Sequence, residues 1–169
     1  PASNEVYVAD GYRNRRVIVL DADTFGFKRM WGAYGNTPDD TPLGPYNPDA
    51  PPAQQFRLPH NIAISRDGLV YVADRPNNRI QVFRKDGTFV REFVVAPETR
   101  GAGSMWDLDL STDGAQTHLY AADGENNQVW MLLRESGQIL GSFGRNGRSA
   151  GQFHWVHNMA VDSKGNIYT

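Results

Sequence analysis

The chain has 169 residues, 40% of them hydrophobic and 21% charged, and a formal net charge of −2. This is the balance of a globular protein with enough apolar side chains for a core, and it argues against the basic surface of a nucleic-acid-binding protein. The absence of cysteine excludes disulfides and cysteine-bound zinc, and no apolar stretch approaches the roughly 20 residues of a membrane-spanning helix. We therefore expect no nucleic-acid partner and no membrane insertion.

The first predicted unit covers about residues 4–32 and opens with the stretch NEVYVADGYRNRRVIVLD. Alternating apolar residues indicate two strands, and the polar DGYRNRR between them indicates a turn. A loop insertion over residues 33–55 follows, because TPDDTPLGPYNPDAPPAQQ is too polar and too often interrupted by proline to form a strand. We expect this loop to lie on one face of the domain.

The second unit, over about residues 57–95, shows the pattern most completely. Short alternating segments are separated by the turn sequences RDG, RPNN and KDG. Asp-Gly is a strong hairpin signal, because glycine accepts the positive φ that tight turns require. The unit therefore predicts four strands, near Asn61–Ser65, Leu69–Asp74, Arg79–Arg84 and Phe89–Val94.

The pattern returns over about residues 104–144 and 153–169. Two rows of equivalent residues set the register: the aspartates that end the second strand of a unit, and the residues that precede its first strand. We expect the aspartates to cap turns. The first row is Asp10, Asp74 and Asp123, and the second row is His60, Trp106 and His157.

A four-stranded repeat of roughly 40–50 residues predicts an all-β fold, the β-propeller, with one repeat in each blade. Leucine-rich and helical repeats do not fit this period or this strand content. Residues 1–169 would form about three and a half blades, whereas propellers have about four to eight. We therefore expect a partial propeller that belongs to a longer protein, six-bladed when complete, since a half disc would leave sheet edges exposed.

His60 and His157 occupy the same position in two units that are separated by one further unit. The first strands of propeller blades line the central channel, so residues at their mouths converge on one face. Imidazoles that converge on an axis suit a metal such as zinc. The structural alternative is that each histidine only binds a water or a carbonyl group, although Trp106 shows that the fold does not require histidine here.

Two stretches, YVADRPNNRIQVF and DGTFVREF, resemble NHL repeats. Three others resemble the lyase domain of peptidylglycine amidation: DGYRNRR, PHNIAISRDGLVYVADRPNNRIQ and VHN. That lyase family is a six-bladed NHL propeller with an axial zinc bound by three histidines. It cleaves a peptidyl-α-hydroxyglycine into a peptide amide and glyoxylate. The resemblance implies the same fold, a zinc cofactor and a peptide or small-molecule substrate.

Carried over residue by residue, the resemblance makes His60 and His157 two of the zinc ligands. It makes Tyr12 the catalytic tyrosine, a plausible base next to a cation. It makes Arg75 the active-site arginine, which could grip the substrate carboxylate with a bidentate fork. The third histidine is expected in a blade upstream of Pro1.

The chain departs from the family at several positions. Asn158 replaces an aspartate that helps to bind a structural calcium in the family, which weakens the case for calcium. Val156 replaces a proline, and Trp155 replaces a methionine. Cysteines of the animal members are absent at Arg13, Tyr71 and Val82, which suggests a bacterial relative. We favour a periplasmic or secreted location.

The leading hypothesis is therefore a metal-dependent, lyase-like NHL propeller. The alternative is a non-catalytic propeller that binds a protein or a small ligand through its loop face. A calcium-dependent six-bladed hydrolase ranks lower, because such sites need glutamate, asparagine and aspartate in the channel. Individual residues also have structural interpretations: Tyr12 as part of its turn, and Arg79 and Arg16 as arginines that NHL units commonly place at the start of a strand.

Overall fold

A computed structural model describes residues 3–169, which form thirteen strands and two short 3-10 turns, Ala33–Gly35 and Arg75–Asn77. Within each sheet, every strand pairs antiparallel with its neighbours along the chain. The strands are β1 Glu5–Asp10, β2 Arg16–Asp21, β3 Phe27–Trp31, β4 Pro59–Ile64, β5 Val70–Asp74, β6 Arg79–Phe83, β7 Phe89–Val94, β8 Asp107–Leu110, β9 His118–Asp123, β10 Gln128–Leu133, β11 Ile139–Phe143, β12 Ala160–Val161 and β13 Ile167–Tyr168.

The strands form four separate meanders, ordered β1-β2-β3, β4-β5-β6-β7, β8-β9-β10-β11 and β12-β13. Two complete blades are therefore flanked by a three-stranded and a two-stranded sheet. The first strands of successive sheets lie side by side, β4 next to β8 and β8 next to β12, as the inner strands of a propeller do. This confirms the predicted all-β propeller and its count of about three and a half blades.

The strands of the second unit agree with the prediction to within two residues at each end. By the same register, the first strand of the fourth unit is predicted over Asn158–Asp162; this extent is wrong, since only Ala160–Val161 pairs with β13. The reason is the partner: β13 has only two residues, so the ladder is limited to two residue pairs.

The apolar core lies between the blades rather than within them. Val70 and Val72 of β5 pack toward the first blade, whereas Tyr71 and Ala73 pack toward the third blade. Successive side chains of a strand point to opposite faces of the sheet, so one strand contributes to two cores. All five residues of β5 are buried. Burial of both faces explains why its first four residues, Val70–Ala73, are all apolar.

The loop insertion 33–55 lies on the face of the disc at which β4 begins. The backbone N–H of Arg15 donates to Asp40 Oδ1 at 2.8 Å, and the hydroxyl of Tyr46 donates to the carbonyl of Pro97 at 2.9 Å. The loop therefore spans from the turn after β1 to the loop after β7. Over residues 3–169, no helix has the length and apolarity needed to cross a bilayer.

Candidate metal and catalytic site

Two histidines meet at the mouth of the channel. His60 lies at the start of β4, and His157 lies three residues before β12. Their ring centroids are 4.9 Å apart and their planes are inclined by 62°. The two imidazoles therefore lie at the same end of the channel, as expected from their equivalent positions in the repeat.

The tautomer of His60 follows from its neighbours. Its Nδ1 contacts the backbone carbonyl of Trp106, and because a carbonyl can only accept, Nδ1 bears the proton. The lone pair of the neutral ring is therefore on Nε2, which lies 3.2 Å from the hydroxyl oxygen of Tyr12. Burial lowers the pKa of His60, and although the hydrogen bond to the Trp106 carbonyl opposes this effect, the nearby charges of Arg75 and His157 reinforce it. His60 is thus held in the neutral form that a metal requires.

His157 has a similar arrangement on a more exposed ring. Its Nδ1 lies 3.0 Å from Oδ1 of Asn158, an acceptor that again leaves the lone pair on Nε2. Two tetrahedral zinc ligands bound through Nε2 at about 2.0–2.1 Å would have ring centroids about 5 Å apart. The observed separation of 4.9 Å fits this geometry.

Residues 3–169 supply these two histidines but no group of three or more His, Cys, Asp or Glu side chains that could hold a metal ion. A zinc with three protein ligands would need one more donor from outside this set. A catalytic zinc site usually has three protein ligands, and the two histidines could supply two of them.

Tyr12 extends from the turn between β1 and β2 and is 72% exposed. The preceding Gly11 brings this turn against β4: a Cβ at Gly11 would lie 2.0 Å from the carbonyl oxygen of Pro59. Because Pro59 immediately precedes His60, this close approach places the tyrosine beside the imidazole, with ring centroids 5.9 Å apart.

Arg75 occupies the equivalent turn of the next blade, in the 3-10 segment between β5 and β6. Its Nε donates to the carbonyl of Ala102 at 2.9 Å, and its Cζ lies 3.4 Å from the centre of the Trp106 ring. Burial lowers the pKa of its guanidinium, while the adjacent Tyr12 oxygen acts in the opposite direction. The structure therefore brings the four residues selected from sequence, Tyr12, His60, Arg75 and His157, to one place.

Trp106 is the residue that sequence reasoning missed. The sequence identifies it only as the occupant of the histidine position in the third unit. In the structure it lies between Arg75 and the two histidines and is 2% exposed. The signal that could have found it is the register itself, because every residue in that row points toward the channel mouth.

Trp155 also lies near this site, with its ring centroid 5.8 Å from that of Trp106. It is 61% exposed, and its backbone has a φ of 58°, an uncommon conformation for a large side chain. Asn127 Oδ1 accepts a hydrogen bond from the Trp155 N–H at 2.7 Å. The neighbouring His154 stacks on its ring.

The aspartate and arginine positions that recur in the turns have structural contacts. Asp74 accepts hydrogen bonds from the backbone N–H groups of Arg57 and Leu58 and from Asn77. Arg79 is 3% exposed and forms an ion pair of 2.9 Å with Asp74. These contacts agree with the structural interpretation of the aspartates and of Arg79.

Comparison with known proteins identifies an NHL repeat in this chain and a similarity to peptidyl-glycine amidating enzymes. The NHL repeat family model matches residues 56–83. Peptidyl-glycine alpha-amidating monooxygenase B of Xenopus laevis is 29% identical over 99% of this chain, and the mouse amidating monooxygenase is 26% identical over the same share. Human NHL repeat-containing protein 3 is 34% identical over 73% of the chain, which covers 28% of that protein.

The chain therefore contains an NHL repeat and resembles the amidating monooxygenases along almost its whole length. It spans less than a fifth of the length of those relatives, 18% in Xenopus laevis monooxygenase B and 16% in the mouse protein. Among solved structures, Kuenenia stuttgartiensis hydrazine synthase matches 96% of the chain with a TM-score of 0.63 and 11% identity, and the match covers 37% of that chain. At this identity the likeness concerns the fold alone.

Proposed function

We propose that this propeller is a zinc-dependent lyase that cleaves a peptidyl-α-hydroxyglycine, or a similar carbinolamide, to an amide and glyoxylate. The observation that supports this best is the convergence of Tyr12, His60, Arg75 and His157. These residues come from three different blades, and they are the residues that resemble the lyase motifs. The similarity to peptidyl-glycine alpha-amidating monooxygenases over 99% of the chain supports a reaction on a peptidyl-glycine derivative.

His60 and His157 would hold the zinc through their Nε2 atoms. Bound there, the metal would supply Lewis-acid polarisation of the substrate hydroxyl. The Nδ1 contacts of both rings, to the Trp106 carbonyl and to Asn158, hold the imidazoles in the tautomer that this requires.

Tyr12 is the base in this proposal. Its hydroxyl oxygen lies 3.2 Å from His60 Nε2, the atom that would bind the zinc, and a bound cation would favour the phenolate. The phenolate takes the proton of the α-hydroxyl group. The hydroxyl oxygen then forms the aldehyde of glyoxylate, the C–N bond breaks with its electron pair going to the amide nitrogen, and the nitrogen takes the proton that Tyr12 has received.

Arg75 binds the substrate carboxylate. Its Nε is already bound to the carbonyl of Ala102, which fixes the side chain while its terminal amino groups remain for a carboxylate in the bidentate manner usual for arginine. This contact would hold the reacting carbon next to Tyr12. Positioning of this kind is a large part of catalysis.

The test is zinc content and glyoxylate release by the protein at its full natural length, with an N-acyl-α-hydroxyglycine as substrate. We expect stoichiometric zinc in the wild type and its loss in His60→Ala and His157→Ala. His154→Ala is the matched control, since His154 is an exposed histidine of the same loop that stacks on Trp155, and it should retain the metal.

Tyr12→Phe should keep the zinc and lose turnover by about 10²–10⁴-fold, the usual contribution of a general base. A wild-type protein without stoichiometric metal, or histidine variants that keep the metal, would overturn the lyase proposal. The non-catalytic propeller, which binds a protein or small ligand through its loop face, would then take its place.

A further inference from the structure

We infer that Trp106 is the positioning residue of this site, and that its indole ring sets how tightly Arg75 can bind the carboxylate of a substrate. The kinetic consequence rests on the proposed function. The positioning itself rests only on the contacts of Trp106, so the two can be tested separately.

The indole ring is a platform for Arg75. The guanidinium carbon lies 3.4 Å from the ring centre, well within the roughly 6 Å over which a cation is attracted to an aromatic face. Together with the hydrogen bond from Arg75 Nε to Ala102, this contact holds the guanidinium on two sides. An arginine fixed in this way loses little conformational entropy when it binds a carboxylate.

The platform is itself rigid. The indole Nε1 donates to the carbonyl of Gly103 at 2.6 Å, and the side chain is 2% exposed. Gly124 packs directly against the ring, so that a Cβ at Gly124 would lie 2.5 Å from the nearest ring carbon. Trp106 can therefore not move without repacking the loop and the turn on either side of it.

The same residue orients the histidine side of the site. Its ring meets that of His157 edge to face, with centroids 5.1 Å apart and planes at 90°. Its backbone carbonyl binds Nδ1 of His60 and so determines the tautomer of that ring. Trp106 thus connects the arginine that would bind the carboxylate with both of the histidines that would bind the metal.

The position of Trp106 in the repeat distinguishes its role from that of the two histidines. His60 and His157 occupy the same register position in the second and fourth units. Tryptophan cannot ligate zinc, because its indole nitrogen has no lone pair to donate. The third unit therefore contributes a platform at the position where its neighbours contribute metal ligands.

Trp106→Leu tests the inference against Trp31→Leu in the zinc-loaded, full-length protein. Trp31 is equally buried, at 3% exposure, but belongs to the core between the first and second blades. We expect Trp106→Leu to raise KM by about tenfold, the factor expected from a partly buried cation–π contact, with kcat changed by less than roughly threefold. Trp31→Leu should leave KM unchanged even where it lowers stability.

A second pair of variants displaces the ring without removing it. Gly124→Ala places a methyl group against Trp106, whereas Gly141→Ala adds the same group where no atom lies within 4 Å. Neither glycine has a positive φ, so alanine introduces no backbone strain at either position. Gly124→Ala should raise KM in the same direction as Trp106→Leu, and Gly141→Ala should not.

Nuclear magnetic resonance tests the positioning without any enzymatic assay. Protons over the face of an indole are shifted upfield, so the side-chain N–H resonances of Arg75 should show an upfield ring-current shift that Trp106→Leu abolishes and Trp31→Leu preserves. If the shift is present and lost as expected while no lyase turnover exists, the positioning inference stands and the proposed function fails. If the wild type lacks the shift, or Trp106→Leu binds substrate as tightly as Trp31→Leu, the inference is overturned.

Discussion

The turn between β1 and β2 and the turn between β5 and β6 are two versions of one motif with very different burial. Each begins with an aspartate that ends a strand, and each closes with an arginine that begins the next strand. The Asp10–Arg16 and Asp74–Arg79 ion pairs both measure 2.9 Å. In the first pair both side chains are 26% exposed, whereas in the second the arginine is 3% exposed and the aspartate is fully buried.

The difference lies in what surrounds the pair. Arg79 also donates to the hydroxyl of Tyr34 at 2.8 Å and to the carbonyl of Gln55 at 2.9 Å, two residues at either end of the loop insertion. Arg16 instead donates to Asp10, and its contact with the loop insertion is a 3.5 Å ion pair with the exposed Asp40. The same aspartate–arginine pairing therefore produces a partly solvated ion pair in one blade and a buried hydrogen-bonded network in the next.

The third blade shows a further version of the same turn. Asp123 has no arginine partner, because Gln128 begins the next strand. Its carboxylate instead accepts hydrogen bonds from Asn126 and from the indole of Trp130. Burial raises the pKa of Asp123, and these hydrogen bonds only partly oppose the effect. All three turns therefore share the aspartate at the end of the strand, whereas the side chains that bind its carboxylate differ from blade to blade.

The strongest test of this comparison is removal of the aspartate in each turn. Asp74→Ala leaves Arg79 buried without its counter-ion, and we expect the free energy of unfolding to fall by about 3–5 kcal/mol. Asp10→Ala should lower it by no more than about 1 kcal/mol, because that pair is partly solvated. Urea denaturation measures both values, and equal losses would show that burial does not distinguish the two turns.

The two turns also differ at the residue after the aspartate, which is Gly11 in the first blade and Arg75 in the second. A methyl group at Gly11 would meet the Pro59 carbonyl at 2.0 Å, so Gly11→Ala should lower the free energy of unfolding by about 1–3 kcal/mol through overpacking. It should also move Tyr12 away from His60. Gly114→Ala, at an exposed turn with no atom within 4 Å, is the control; similar stability of the two variants would contradict the close approach.

The smallest expected effect is the pH dependence of Asp123. Because its folded-state pKa is raised, the folded protein holds this proton at a pH where the unfolded chain has released it, and its contribution to stability is lost as pH rises through the folded pKa. The stability of wild type relative to Asp123→Asn should therefore be greater at pH 3 than at pH 7. Denaturation across this range measures the difference.

Asp162→Asn is the control of opposite sign. The side-chain hydrogen bond from Asn166 lowers the pKa of Asp162, so the stability that it contributes is present at neutral pH and is lost as pH falls through the folded pKa. Relative to this variant, wild type should lose stability on acidification. Parallel pH profiles for the Asp123→Asn and Asp162→Asn variants would contradict the assignment of burial as the dominant influence on Asp123.

The two histidines could be selected from the sequence because the repeat register places them at equivalent positions. Tyr12 and Arg75 could be selected only because their turns resemble the lyase motifs. The contact of Arg75 with Trp106 could not be predicted, since it depends on the loop before β8 bringing Gly103 against the Arg75 backbone, where a Cβ would lie 2.1 Å from the carbonyl oxygen. The short β12 was also missed, because its length is limited by the two residues of its partner.

The sequence by itself determined the all-β repeat, the order of its strands and the rows of equivalent residues, because period-two alternation and Asp-Gly turns act over a few neighbouring residues. Only the tertiary structure decided which of those equivalent residues are buried, which are paired and which meet at the channel mouth. Burial and charge pairing depend on contacts between distant segments, such as the loop insertion over Arg79 and the third blade beneath Arg75. Equivalent positions in a repeat thus share a backbone geometry but not an environment.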